Sequence, residues 1–514
     1  MLRTLSRTVL VGLLVAVVGL LSASFAQGVL KYAIAQPGID GLDPHLEIPG
    51  GTVMQVYTMF NGLVRYPPGT TDVNAIEPDL AESFSSAESG RIWTFNLRRG
   101  VQFHDGYGEL TASDVLFTFN RVMDPALASP WISQFGNVQS VTAPDEYTVV
   151  VELKEPDPLF LVNLAGHTRG SILSERAVTE LGSQFRTNPI GTGPFQFTEY
   201  VPTQHLTVSR FDDYFRQDEV AKLDAVQFLY VSELSSMYIG LQRGDYDLAG
   251  GVDSKQFADR TASIGLNVVS FGLGASVALF LDTHIAPFDD IRVRRAFAHA
   301  IDKATMAAGL YGATGQPWES PVPIGSLGHT FDLPIIEYSP DTAKALLAEA
   351  GYPNGIDISV LMSDHAVYSP PMVVLQDMLR ASNIRMELQT IEHSTYHTQI
   401  REHLTPVVLY SALRPPDAGI WLREFLNPAV PSTNFSRSTV TADILRAIEA
   451  EGTVEGKVAL YEEAQRIIVD EVITIPLYRR LAVQALQTWV SPNYEIVNTA
   501  IYYPDHLEFF TIDR

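Results

Sequence analysis

The chain has 514 residues, with 35 Lys and Arg against 59 Asp and Glu, a formal charge of −24, and no cysteine. That length allows two to four compact units, and 46% hydrophobic with 18% charged residues excludes wholesale disorder. The acidity argues against a protein that tracks nucleic-acid phosphates. The missing cysteine removes disulfides, thiolate catalysis, zinc–cysteine and iron–sulfur sites, and lipid attachment through an N-terminal cysteine.

Arg3 and Arg7 precede Val9–Leu21, an uninterrupted apolar run of 13 residues, and Ser24-Phe25-Ala26 follows. A basic start, a short apolar stretch and a small-x-small end predict an export signal cleaved after Ala26. The run falls short of the ~20 residues that a spanning helix needs. Cleavage would take the charge to −26, and a soluble periplasmic protein without a lipid anchor is expected.

Beyond the signal, Gln27–Ala35 reads as a strand, Pro37–Pro49 as a Pro/Gly/Asp-rich loop and Met54–Leu63 as a helix. Trp93, Phe95 and Leu97 alternate onto one face, as do Tyr147, Val149, Val151 and Leu153, so both segments are predicted strands. A helix between them starts at Thr111 with Asp114 as its capping partner. Ser235–Arg243 is a helix closed by Gly244, and Asp289–Ile301 is a helix whose Arg292, Arg294 and Arg295 read as a solvated face. A helix over Ser339–Ala350 is followed by strands Ile356–Met362, Met386–Ile391 and Pro406–Tyr410. Helices Ala442–Ala450 and Val454–Asp470 come next, then strands near Ile473–Tyr478 and Ala482–Trp489. No repeat or low-complexity linker divides the chain, so the order implies α/β lobes with a β-rich insertion near residues 77–199.

No nucleophile elbow, zinc-protease motif or phosphate loop is present. His393 and His397 share helical spacing but lack a carboxylate pattern, and read as exposed. His104-Asp105-Gly106 reads as a tight turn, because adjacent strand residues point to opposite faces. No catalytic residue, metal ligand or cofactor is expected, and most aromatics are expected in the core.

Several fragments resemble one family, the family 5 bacterial extracellular solute-binding proteins, which include dipeptide, oligopeptide and nickel receptors of ABC importers. They are EPDLAESF (77–84), WTFNLRRGVQFHDG (93–106), TASDVLFTFNR (111–121), NPIGTGPF (188–195), FDDYF (211–215), PFDDIRVRRAFAHAID (287–302), SPDTAKALLAEAGY (339–352), and LYEEAQ (460–465) with IPLY (475–478). They occur in the family's order across nearly all of the chain. The resemblance implies an α/β, bilobal periplasmic binding protein fold of type II, with an extra β-rich subdomain and a ligand cleft between the lobes. Lobe I would span 27–281, lobe II 282–478, and 479–514 would return to lobe I. The crossover strands would lie near Leu279–Asp282 and Pro476–Arg480. The implied work is hinge-closing capture of a peptide-like or other small polar solute, followed by delivery to an inner-membrane ABC permease, without catalysis. A monomer that binds no nucleic acid is expected. Sugar, opine and metal-chelate cargoes stay open, as does a periplasmic chaperone or enzyme.

The resemblance also carries over ligand positions. It puts the Gly38-Ile39-Asp40 loop along the ligand, Trp131 of Ala128–Trp131 beside it, Tyr368 at a helix start and Tyr478 on the last crossover. It departs at 407–422, where Ser411 stands in place of a tryptophan and Arg414 in place of the aspartate that grips a peptide's amino group. Asp417 matches the next acidic position. An arginine there disfavours free amino termini and suits a carboxylate, unless it pairs with Asp417 or Glu424 instead. The candidate ligand residues are therefore Ile39, Asp40, Trp131, Tyr368, Arg414, Asp417, Trp421 and Tyr478.

Overall fold

A computed structural model of the chain describes residues 28–46, 52–165, 168–252, 254–312, 315–365, 367–411, 414, 416–495 and 506–514. The expected export signal lies outside them. Among the described residues, no helix is long and apolar enough to cross a membrane.

A nine-stranded sheet runs in the order Val407–Ser411, Asn267–Leu281, Thr474–Leu486, Leu248–Val252, Val29–Ile34, Ala225–Tyr230, His205–Arg210 and Phe195–Val201. Gly315–Pro317 adds to Thr474–Leu486. Alternation along Val29–Ile34 sends Leu30, Tyr32 and Ile34 into a large first core. Ala33 goes to a smaller core with Met237, Leu241 and Phe257, on helices Leu234–Arg243 and Lys255–Ser263. The expected strands 93–97 and 147–153 belong to a four-stranded antiparallel sheet: Ala81–Ala87, Ile92–Leu97, Thr148–Leu153 and Val138–Asp145. Trp93, Phe95, Val149 and Val151 bury the inner face of that sheet.

The second core forms around Ile356–Ser363 and Ile384–Ile391, which are paired in parallel and joined through helix Ser369–Leu379. Two long strands serve both ends of the molecule. Asn267–Leu281 and Thr474–Leu486 pair antiparallel, with a break in register between Gly272 and Ser276. Val483, Ala485 and Leu486 pack in the cores of the amino-terminal half. Val277–Leu281, Ile475, Leu477 and Tyr478 pack in the second core.

Three expectations are corrected. The predicted helix 54–63 ends at Tyr57, because the backbone beyond it bonds elsewhere: Met59 and Thr58 carbonyls accept from Gly193 and Phe195 (3.0 and 3.1 Å), and Asn61 from Ile172 (2.9 Å). A Cβ on Gly191 would sit 1.9 Å from the Met59 oxygen, which explains the glycine there. The two final strands are one continuous strand, 474–486. Arg479, which breaks the apolar alternation, is accommodated by Gln316 (2.7 Å) and lies over Trp318. Arg294 is buried rather than solvated, donating to the carbonyls of Phe288 (2.9 Å) and Glu471 (3.0 Å). His104–Gly106 is a tight turn as expected, with Asp105 at φ 53°.

Candidate functional site

The two large cores meet along a polar seam. From the first come Tyr66, Trp131 and Arg169; from the second come Arg414 and Asp417. Loop Leu42–His45 holds Trp131 in place. Asp43 accepts two bonds from Arg121 (3.1 and 2.6 Å), the Trp131 indole donates to the Pro44 carbonyl (3.1 Å), and the Ser129 hydroxyl donates to the His45 carbonyl (2.8 Å). The Arg169 guanidinium lies 5.8 Å from the Trp131 ring centre.

Arg169 is 2% exposed. Its Nε donates to the Asn163 carbonyl at 3.1 Å, while Nη2 meets no acceptor among the described residues. Burial, together with the nearby positive charge of Arg414, brings its pKa down to about 10. The buried Tyr66 hydroxyl also lacks a partner, and burial raises its pKa; it lies within electrostatic reach of both Arg169 and Asp417. The buried indole nitrogen of Trp421 is likewise unsatisfied. Buried polar atoms are ordinarily hydrogen-bonded, so the unsatisfied Tyr66 hydroxyl and Arg169 guanidinium at the boundary of two cores stand out.

Arg414 extends from the second core, but Glu424 occupies its guanidinium fork, and the Phe425 ring centre lies 5.3 Å away. Asp417 caps helix Ala418–Phe425, accepting from Gly419 N at 2.9 Å. Burial raises its pKa, against Arg423 3.8 Å away. Trp421 packs on Phe425 at 5.0 Å.

The structure thus brings Trp131, Arg414 and Asp417 to one seam, keeps Trp421 in the second core one helical turn beyond Asp417, and sets the other candidates apart. Ile39 is half-buried and Asp40 exposed. Their loop folds onto the hairpin 195–210, the Ile39 carbonyl accepting from the Tyr200 hydroxyl at 2.7 Å. Tyr478 is buried on the crossover strand against Tyr311 (5.3 Å). Tyr368 lies among His393, His397 and Tyr396 at 5.3 to 6.1 Å. These histidines are half-buried, which corrects the expectation that they are exposed. Their Nε2 atoms are 3.3 Å apart, and burial beside His393 pushes His397 down to about 4. Among the described residues, no group of three or more His, Asp or Glu is arranged to hold a metal. Tyr66, Asn163 and Arg169 escape sequence reasoning, since no motif surrounds them.

A cavity of about 700 Å³ adjoins the seam. Gln134, Asp157 and Asn163 line it from one stretch of the chain, and Arg423, Glu424 and Lys457 from another. The side-chain oxygens of Gln134 and Asn163 are buried without partners. Size and lining suit a small polar molecule more than an apolar one.

Comparison with known proteins agrees with the fold. The chain is 28% identical over 485 residues to di/tripeptide-binding protein 2 of Pseudomonas aeruginosa, covering 88% of this chain and 90% of that protein. It is 27% identical over 482 residues to heme-binding protein A of Haemophilus influenzae, covering 85% and 84%. Among solved structures, MoaA of A. tumefaciens R10 in complex with mannopinic acid superposes with a TM-score of 0.81 at 30% identity, covering 95% of this chain and 99% of that one. DppA of Helicobacter pylori in complex with the peptide STSA gives 0.80 at 26%, covering 95% and 98%. The model of bacterial extracellular solute-binding proteins, family 5, matches residues 75–428. With the ordered fragments, the two cores sharing a pair of strands and that match in agreement, the chain belongs to the family 5 bacterial extracellular solute-binding proteins.

Proposed function

We propose that this solute-binding protein is the periplasmic receptor of an ABC importer. It captures a small polar solute between two lobes and presents the closed form to an inner-membrane permease. One observation carries the reading: the unsatisfied buried Tyr66 hydroxyl and Arg169 guanidinium of the first core face Asp417 and Arg414 of the second, near a polar cavity lined from both sides. The lobe division 27–281, 282–478 and 479–514, with its insertion near 77–199, draws support from the strands shared by both cores. The change of core between Val269 and Val277, and between Tyr478 and Val483, favours a hinge at those segments. Closure there would strip water from the solute and strengthen its polar contacts.

Two observations favour an acidic solute over a peptide with a free amino terminus. Arg414 stands where peptide receptors present an aspartate, and its pairing with Glu424 leaves neither side chain free to grip an amino group, while the MoaA neighbour holds mannopinic acid. Ile39, Asp40, Tyr368 and Tyr478 remain proposed as outer ligand contacts, on the family's pattern alone.

The test is thermal melting and small-angle scattering with dipeptides and with mannopinic acid. A bound solute raises the melting temperature with concentration, worth ~2.7 kcal/mol at ~100 times its dissociation constant. The radius of gyration falls in parallel. Binding without compaction sinks the hinge, and chemical turnover of the solute sinks the receptor.

A further inference from the structure

Arg169 is the feature that the fold leaves unexplained. A guanidinium offers five N–H donors, and an uncompensated buried charge is strongly unfavourable. Among the described residues, none of the ion pairs includes Arg169. Arg414, its counterpart across the seam, is neutralised by Glu424. Nor does Arg169 reach solvent: it is 2% exposed, with Nε held by Asn163 and its guanidinium beside the pinned Trp131 ring. The fold has therefore fixed a positive charge at the boundary of its two cores and, among the described residues, supplied no anion to it. Such an arrangement is preorganised: its ordering and desolvation are complete before a partner arrives.

We propose, building on the receptor reading above, that Arg169 anchors an anionic group of the captured solute, a carboxylate in the simplest case, with the Tyr66 hydroxyl as a second donor. The planar fork offers parallel N–H bonds to two carboxylate oxygens, and the indole below keeps the fork from turning away. The apo protein gives up stability to hold the charge ready. This predicts something that a structural role does not: removing the charge leaves the empty protein as stable or more so, while anion binding is lost.

The experiment uses the full exported chain with low-millimolar sodium malonate, its neutral counterpart malonamide, and mannopinic acid, at constant ionic strength. Melting curves and calorimetry compare wild type with Arg169→Gln, Arg169→Lys and Tyr66→Phe. In wild type at least one of the two acids should raise the melting temperature saturably and malonamide should not. Arg169→Gln should bind that acid ~100-fold more weakly, Arg169→Lys should recover part of the loss, and Tyr66→Phe should weaken binding by less. Ligand-free Arg169→Gln should melt at or above wild type. Equal responses to malonate and malonamide with none to mannopinic acid overturn the anchor. So does an Arg169→Gln variant that keeps its response, or one that melts well below wild type before any solute is added. Scattering separates this from the receptor reading. A solute that compacts wild type and Arg169→Gln alike leaves the receptor standing and removes the anchor. Arg169-dependent binding without compaction does the reverse.

Discussion

His104 and His45 are both fully buried, and burial pushes each imidazole down to about 4. For His104 the geometry agrees. One ring nitrogen lies 3.0 Å from the Gly193 carbonyl, and the other accepts from the Gly191 amide at 3.3 Å, so a second ring proton would face a donor. The unfolded chain takes up protons near pH 6.5 while the folded one resists until about 4, so stability falls as pH drops through that window and levels off below it. Each group is worth roughly 3 kcal/mol across the window. Urea titrations between pH 7 and 4 should show this loss, and His104→Gln should reduce the slope at pH 5 by about one proton. An unchanged slope would mean that folded His104 is already protonated at pH 5. The same scale shows why Arg169 was hidden and Arg414 misleading. Sequence position aligned Arg414 with a ligand residue, yet Glu424, ten residues on and one helix away, fills its fork. Nothing in the run Thr168-Arg169-Gly170 marks an arginine that ends up without an anion.

Among elements, the helix Ala112–Met123 illustrates a signal that survives folding. Asp114 accepts from the Thr111 amide and from the Glu175 amide, both at 3.0 Å, so it closes the start of its own helix and ties it to Glu175–Leu181. Asp114→Ala leaves both amides short of a partner and should cost about 1–2 kcal/mol in urea unfolding, without weakening solute binding. A change below about 0.3 kcal/mol would show that water replaces the carboxylate at no cost. Strand alternation and helix caps were legible because they act over three or four residues. The end of the helix at Tyr57 was not, since it depends on amides of Gly193 and Phe195 far along the chain. The unity of strand 474–486 also needed its neighbours: ladder bonds to 267–281 on one side and to 315–317 on the other carry it past Arg479.

At the scale of the molecule, a formal charge of −24 opposes the approach of the anionic solute inferred for Arg169. Salt screens that repulsion, the Debye length shrinking from about 30 Å at 0.01 M to about 8 Å at 0.15 M. The association rate of mannopinic acid, followed by tryptophan fluorescence in stopped flow, should therefore rise with salt over that range. A rate that falls with salt would mean that the local field of Arg169, Arg414 and Arg423 outweighs the global charge. Length, acidity and the absence of cysteine excluded function classes, and the ordered fragments, through their resemblance to the family, implied the bilobal class, because such motifs are local patterns. Which polar groups are left without partners is a different kind of property. It depends on burial and on every neighbour within a few ångströms, and those neighbours come from segments more than a hundred residues apart, as Tyr66 and Arg169 do. The sequence by itself determined the local strands and helix caps and, through its resemblance to the family, implied two lobes with crossing strands near Leu279–Asp282 and Pro476–Arg480. Only the tertiary structure decided that Glu424 would neutralise one seam arginine and that the other would stay open, since the energy of a buried charge is set by the company that folding gives it.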